Sequence, residues 1–182
     1  MKKLNISGGE PFLQEDFLGE IIKFSKVDLG LESTGIICNG SKVTEKWLDK
    51  YGQYLDIMGV SCDSFDVETN LKIGRSQNGK GVHTKKVFQV ADWCKDRGIM
   101  FKLNSVIGQH NWEEDMNHGI DEIAPFRWKV RPLRSIIRRI TNCSQCHFRY
   151  SRCSYSMVKT LDQRQSAMRE SWSSQRNSSK LS

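Results

Sequence analysis

The chain of 182 residues contains no long uninterrupted apolar run, and a helix that crosses a bilayer needs about 20 such residues in a row. Its first residues show no charged segment leading into an apolar one of the kind that directs secretion, so the expected location is cytoplasmic. Six cysteines are too few for a disulfide-stapled scaffold of this length. Cys38, Cys62 and Cys94 sit in apolar surroundings, where a buried free thiol is expected, and none of them has a second cysteine close by in sequence. Acidic residues run short at one end. Residues 131–182 carry 11 Lys and Arg against 2 Asp and Glu, a net of +9, whereas residues 1–130 carry 17 against 19, a net of −2. The basic balance of the chain therefore belongs to its last 52 residues, which also hold 12 serines and little apolar periodicity. That composition predicts a disordered basic tail over 131–182 behind a folded domain over 1–130.

What the first part does contain is alternation. Lys3 to Ser7 alternates polar and apolar residues as a half-buried strand does, and helical spacing follows from Phe12 to Val27 through Phe17, Leu18, Ile21, Ile22 and Phe24. Thr34–Cys38 reads as a buried strand closed by Asn39-Gly40-Ser41, and a helix runs from a Thr44 cap to Tyr51. Tyr54–Val60 is predicted as a strand, Asp66 to Ile73 as a short helix, Ser76 to Gly81 as a polar loop, and Val82 to Arg97 as a helix stopped by Gly98. Strand Ile99–Ile107, helix Trp112–Ile123 and strand Phe126–Val130 complete the pattern. Strand and helix alternating about five times with short links predict parallel βαβ units of the α/β class, as a partial barrel.

In such folds ligands gather at the carboxyl ends of the strands. The turn Ser7-Gly8-Gly9-Glu10-Pro11 lies at the first of these ends, Asn39-Gly40 at the second, and Ser61 with Asp63 at the third. Two glycines can present backbone amides to a small polar or zwitterionic ligand with Glu10 beside them, although the same letters also write an ordinary turn. Two strands repeat one pattern, Lys3-Leu4-Asn5 and Lys102-Leu103-Asn104, which puts each lysine and asparagine on one side and the leucine on the other. If the leucines face the helices, the ammonium groups point to the interior and call for an anion. Lys129 repeats the argument on a third strand and Arg75 adds a fourth cation, a set that suits a phosphate-bearing ligand. The alternatives are lysines that reach outward to solvent or that pair with Glu10, Asp63 or Glu114.

Several longer strings, KLNISGGEPFLQ from Lys3, YGQYLDIMGVSCDSFD from Tyr51, FKLNSVI from Phe101 and RWKV from Arg127, together with Asn39-Gly40-Ser41 and Ile73-Gly74-Arg75, resemble the viperin family of antiviral radical S-adenosylmethionine (SAM) enzymes over roughly residues 1–130. The resemblance implies a partial (β/α)6 barrel that binds SAM and a 4Fe-4S cluster. It implies a radical dehydration of CTP to 3′-deoxy-3′,4′-didehydro-CTP, a chain terminator for viral polymerases. By position it implies that Gly8, Gly9 and Glu10 hold the methionine end of SAM and that Asn39, Ser61 and Arg75 touch its adenosine and carboxylate. Lys102, Asn104 and Lys129, with Lys3 and Asn5, would line the triphosphate site.

The family holds its cluster with a CxxxCxxC loop ahead of the GGEP turn, and it attaches to the endoplasmic reticulum and lipid droplets through an amphipathic amino-terminal helix. Neither pattern occurs in this sequence, which is accordingly expected to be a barrel truncated at its amino end and inactive alone. In the tail, Cys143, Cys146, His147 and Cys153 could suggest a metal or haem site, but the spacing supplies no second ligand pair and an unstructured tail is the expectation. Two other readings compete with the enzyme: nonspecific nucleic-acid binding through the +9 tail, and a regulatory remnant without activity.

Overall fold

A computed structural model describes residues 1–75 and 82–133. The readings made for the loop over 76–81 and for nearly all of the basic tail, including Cys143, Cys146, His147 and Cys153, lie outside the described residues.

Five strands, β1 (Lys3–Ile6), β2 (Ser33–Cys38), β3 (Ile57–Ser61), β4 (Met100–Ile107) and β5 (Arg127–Pro132), form one parallel sheet in sequential order. Between them run α1 (Glu15–Val27), α2 (Glu45–Tyr51), α3 (Val67–Lys72), α4 (Val82–Asp96) and α5 (Asn117–Ile123). This is the expected partial α/β barrel, with the two-residue period of each strand deciding what lies where. Ile36, Met58, Val60, Phe101, Leu103 and Trp128 fall on one face and are buried against Leu18, Ile22, Leu48, Val87, Val90 and Ile120 of the helices. Each large apolar side chain so buried contributes about 1.5–3 kcal/mol.

Boundaries differ from the sequence reading for local reasons. Pro11 starts a 3-10 turn over Pro11–Gln14, and α1 begins only at Glu15. Gly52–Tyr54 also winds into a 3-10 turn, so β3 starts at Ile57 rather than Tyr54. The helix expected from Trp112 begins at Asn117, because Asn111 folds back to hold the end of β4 through Gly108 N and the Val106 carbonyl. Thr44 caps α2 by accepting from Trp47 N, and Asp66 caps α3 by accepting from Thr69 N.

Phe17 and Phe24 of α1, and Leu13 in the 3-10 turn before it, are exposed, Leu13 67% and Phe17 68%. The inner side of α1 is tight: a methyl group at Gly19 would overlap the ring of Tyr51, which is 2% exposed and donates its hydroxyl hydrogen to Glu20 Oε1 at 2.8 Å. Replacing Gly19 by Ala gains about 1 kcal/mol of helix propensity but forces a repacking that costs about 1–3 kcal/mol. Gly19→Ala is therefore expected to lower the urea midpoint of unfolding; a midpoint raised as propensity alone would raise it contradicts the packing.

Candidate ligand site on the open face of the sheet

Residues on the other parity of the strands form the second face. In-register pairing lines up Lys3 with Ser33, Asn5 with Gly35, Ile37 with Gly59, Gly59 with Lys102, Ser61 with Asn104, Lys102 with Arg127 and Asn104 with Lys129. Lys3, Asn5, Lys102, Asn104 and Lys129 thus share one face, and the leucines between them, Leu4 and Leu103, lie on the helix-covered side. Arg127, read in sequence only as part of the last strand, and Arg131, which lies beyond that reading, join the same row on β5. The signal was the alternation Arg127, Lys129, Arg131; ending the strand at Val130 leaves Arg131 out of it, and β5 continues to Pro132.

The floor of this face is glycine. A methyl group on Gly35 would stand 2.7 Å from Asn5 Oδ1, and one on Gly59 would stand 3.2 Å from Ile37 Cγ1 and 3.4 Å from Asn104 Nδ2. Glycine inside a strand is unfavourable unless something must approach the backbone; here both asparagines lean over the bare positions. Asn104 Nδ2 is buried and has no hydrogen-bond partner among the described residues. A buried donor left unsatisfied costs about 1–3 kcal/mol, so an acceptor belongs there.

No ion pair among the described residues involves Lys102, Arg127, Lys129 or Arg131. The lysines that the sequence reading offered to Glu10, Asp63 or Glu114 are not paired with them among the described residues; Arg75, a cation outside that pairing, takes Asp63 instead, its Nε donating to Oδ2 at 2.7 Å. Burial, followed by repulsion from Lys129, Arg127 and Arg131, pulls the Lys102 ammonium below its ordinary pKa. The row of positive charge is held together by the fold against its own repulsion.

At the carboxyl rim, Gly8 and Gly9 adopt φ of 107° and 53°, dihedrals that suit glycine, with open space where side chains would stand. The Glu10 carboxylate accepts from Phe12 N at 3.2 Å and from Asn39 N at 2.8 Å, and Asn39 Oδ1 accepts from Ser41 N at 2.8 Å. Glu10 and Asn39 therefore clip the first loop to the second, and each oxygen of Glu10 already holds one amide. Next along the rim, His83 Nε2 stands 3.1 Å from the Ser61 carbonyl and donates to it as a neutral ring, since burial and then Arg75 hold its pKa below the ordinary value. Asp63, also outside the assigned set, binds Val106 N as well as Arg75. In sequence Asp63 is visible only as a polar residue just past a strand end, and His83 only as a residue in the first turn of a helix.

The bare turn, the glycine floor and the orphaned amide fit a flat, polar ligand such as SAM lying against the backbone. They do not fit an iron-sulfur cluster. Cys38, Cys62 and Cys94 are buried on the helix-covered side, burial pushes the first two thiols up to about 12 and the third higher still, and no group of three metal-ligating side chains exists among the described residues. No helix among them is long and apolar enough to cross a membrane.

Two outcomes follow. Iodoacetamide at pH 8 is expected to leave Cys38, Cys62 and Cys94 unmodified in the native chain and to modify all three in guanidinium, as read by peptide mass mapping; native labelling of any of them contradicts their burial. Lys102→Met is expected to raise the unfolding midpoint. The unfolded chain binds the Lys102 proton more tightly than the native one, so the charge destabilises the fold below the depressed native pKa, and this cost is relieved as pH rises through that pKa. The stability gain of the variant should be full near neutral pH and shrink in the alkaline range; a lowered midpoint at neutral pH would refute it.

Comparison with known proteins agrees with this fold. The family model described as "Radical SAM superfamily" matches residues 1–123. A curated relative from Oncorhynchus mykiss, "S-adenosylmethionine-dependent nucleotide dehydratase RSAD2", is 50% identical over 132 residues, 71% of this chain and 38% of that protein. The protein of the same name from Danio rerio is 48% identical, over 71% of this chain and 36% of its own length. An "S-adenosylmethionine-dependent nucleotide dehydratase" from a Thermoplasmatales archaeon (strain ISO4-H5) is 35% identical, over 71% of this chain and 45% of its own. The chain thus spans less than half the length of these relatives. Among solved structures, coproporphyrinogen III oxidase of Escherichia coli superposes with a TM-score of 0.57 at 14% identity, covering 72% of this chain and 32% of that one. A domain of pyruvate-formate lyase-activating enzyme from Bacteroides vulgatus superposes at 0.52 and 16%, covering 69% and 76%. These two share the fold. The chain belongs to the radical SAM superfamily and, within it, is a viperin-like protein.

Proposed function

We propose that residues 1–133 form the SAM- and nucleotide-holding part of a viperin-type nucleotide dehydratase whose substrate is CTP. The observation that carries this reading is the row of Lys102, Arg127, Lys129 and Arg131, unpaired among the described residues and set beside the orphaned Asn104 amide. A triphosphate supplies the anionic oxygens that such a row lacks, through charge-assisted hydrogen bonds. Lys3 and Asn5 extend the lining on β1. The glycine turn Gly8-Gly9 and the rim residues Ser61 and Arg75 would lie along SAM, with Glu10 and Asn39 shaping the turn rather than only touching the ligand.

When bound, SAM supplies the 5′-deoxyadenosyl group that such enzymes direct at a ribose. The residues of this chain bind and orient: cations neutralise the triphosphate, the bare glycine floor lets the nucleoside and SAM approach each other, and the buried apolar side keeps the strands rigid beneath them. The described cysteines provide no cluster, so turnover by these residues alone is not expected, and a 4Fe-4S centre would require ligands from outside them. The antiviral role, through a chain-terminating nucleotide, belongs to the same proposal.

Isothermal titration of the full chain should show CTP binding that Lys102→Gln and Lys129→Gln each weaken by about tenfold, as expected for loss of a charge-assisted hydrogen bond. Deleting residues 134–182 should leave that affinity in place. If the affinity disappears with the tail instead, the anion is held by the basic segment and the nucleotide reading fails in favour of nonspecific polyanion binding. Linking an upstream CxxxCxxC segment and reconstituting iron and sulfide anaerobically should then yield 5′-deoxyadenosine in a CTP-dependent manner.

A further inference from the structure

Asp63 lies just beyond β3 and is 7% exposed. An ionised carboxylate buried to this extent needs partners on both oxygens, and it has them: Oδ1 accepts from Val106 N at 2.8 Å and Oδ2 from Arg75 Nε at 2.7 Å. Its own backbone carbonyl accepts from Asn111 Nδ2 at 2.6 Å. The carboxylate is thereby fixed to the ends of two strands, and it fixes Arg75 in turn. The contact is made through Nε alone. Among the described residues the two terminal nitrogens of the guanidinium have no partner, while Arg75 keeps 31% of its side chain exposed at the carboxyl rim beside Ser61 and His83.

We propose that Asp63 is a positioning residue that holds Arg75 by its Nε so that the two terminal nitrogens form a rigid fork for the carboxylate of the aminoacyl group of SAM. The inference rests on the reading that SAM lies along this rim. A planar guanidinium with one edge already clamped loses little freedom when a carboxylate docks on the other edge in bidentate fashion. An arginine without the clamp would have to order a long side chain at the moment of binding. A purely structural role for Asp63, joining β3 to β4 through Val106 N, makes no such link to the ligand.

The test compares two probes on the full chain by isothermal titration: SAM, and 5′-methylthioadenosine, which keeps the adenosine and sulfur but lacks the carboxylate. Asp63→Asn is nearly isosteric and keeps an acceptor for Val106 N. It is expected to weaken SAM about tenfold, as loss of a charge-assisted contact does, with methylthioadenosine affinity unchanged. Arg75→Gln should give the same pattern, and the double variant should lose no more than Arg75→Gln alone. Equal weakening of both probes by Asp63→Asn, or an Asp63→Asn chain that binds SAM as the parent does while Arg75→Gln does not, overturns the positioning role and leaves the SAM reading standing. No effect of Arg75→Gln on SAM, or no SAM binding by the parent chain, overturns the rim reading itself. If Asp63→Asn does not fold, Arg75→Lys decides: one ammonium cannot serve Asp63 and a carboxylate as a fork does, so SAM should weaken as with Gln, and parent-like SAM affinity would refute the proposal.

Discussion

Five parallel strands in register send every second side chain to the same face, and in this chain the two faces are built from opposite chemistry. One is Ile36, Met58, Val60, Phe101, Leu103 and Trp128 under the helices. The other carries lysine, arginine, asparagine and glycine. A shift of β1 or β4 by one residue would turn its lysine toward the core and its leucine toward the ligand face, a cost no local contact could offset. Buried polar contacts pin the register from the covered side: Trp128 Nε1 donates to Ser105 Oγ at 2.9 Å, and that hydroxyl donates to the Cys62 carbonyl at 2.5 Å, tying β5 to β4 and β4 to the end of β3.

The register has an electrostatic consequence. It brings Lys102 opposite Arg127 and Asn104 opposite Lys129, so like charges stand side by side without a counter-ion among the described residues. A fold tolerates such an arrangement only because the apolar face stabilises it, and the repulsion is available to be relieved by an anion. This is the usual relation between a functional surface and the scaffold beneath it, in which a locally unfavourable choice persists because the rest of the structure over-determines it.

Carboxylates play the opposite part at the rim. Glu10 accepts amides from its own loop and from Asn39, and Asp63 accepts from Val106 and Arg75. Each joins two strand ends, so the loops above the sheet are cross-braced before any ligand arrives. The sequence suggested Glu10 as a direct contact, and its geometry shows a brace whose two oxygens are both engaged. Lysines were offered these same carboxylates as partners, and among the described residues none of them forms that pair.

Sequence alone determined the parallel α/β class and the side of each strand on which lysine and asparagine stand, because alternation and period are local properties of the letters. It determined the Thr44 cap for the same reason. It could not determine that Gly35 and Gly59 floor the site, that Asp63 rather than a nucleotide takes Arg75 Nε, or that His83 reaches the Ser61 carbonyl across 22 residues. Nor did it carry Arg131 into the sheet, since nothing in the tail's composition distinguishes the last strand residues from the basic run after them. These are pairings between distant segments, and only the closed register of the sheet, which fixes which strand ends meet, decides them.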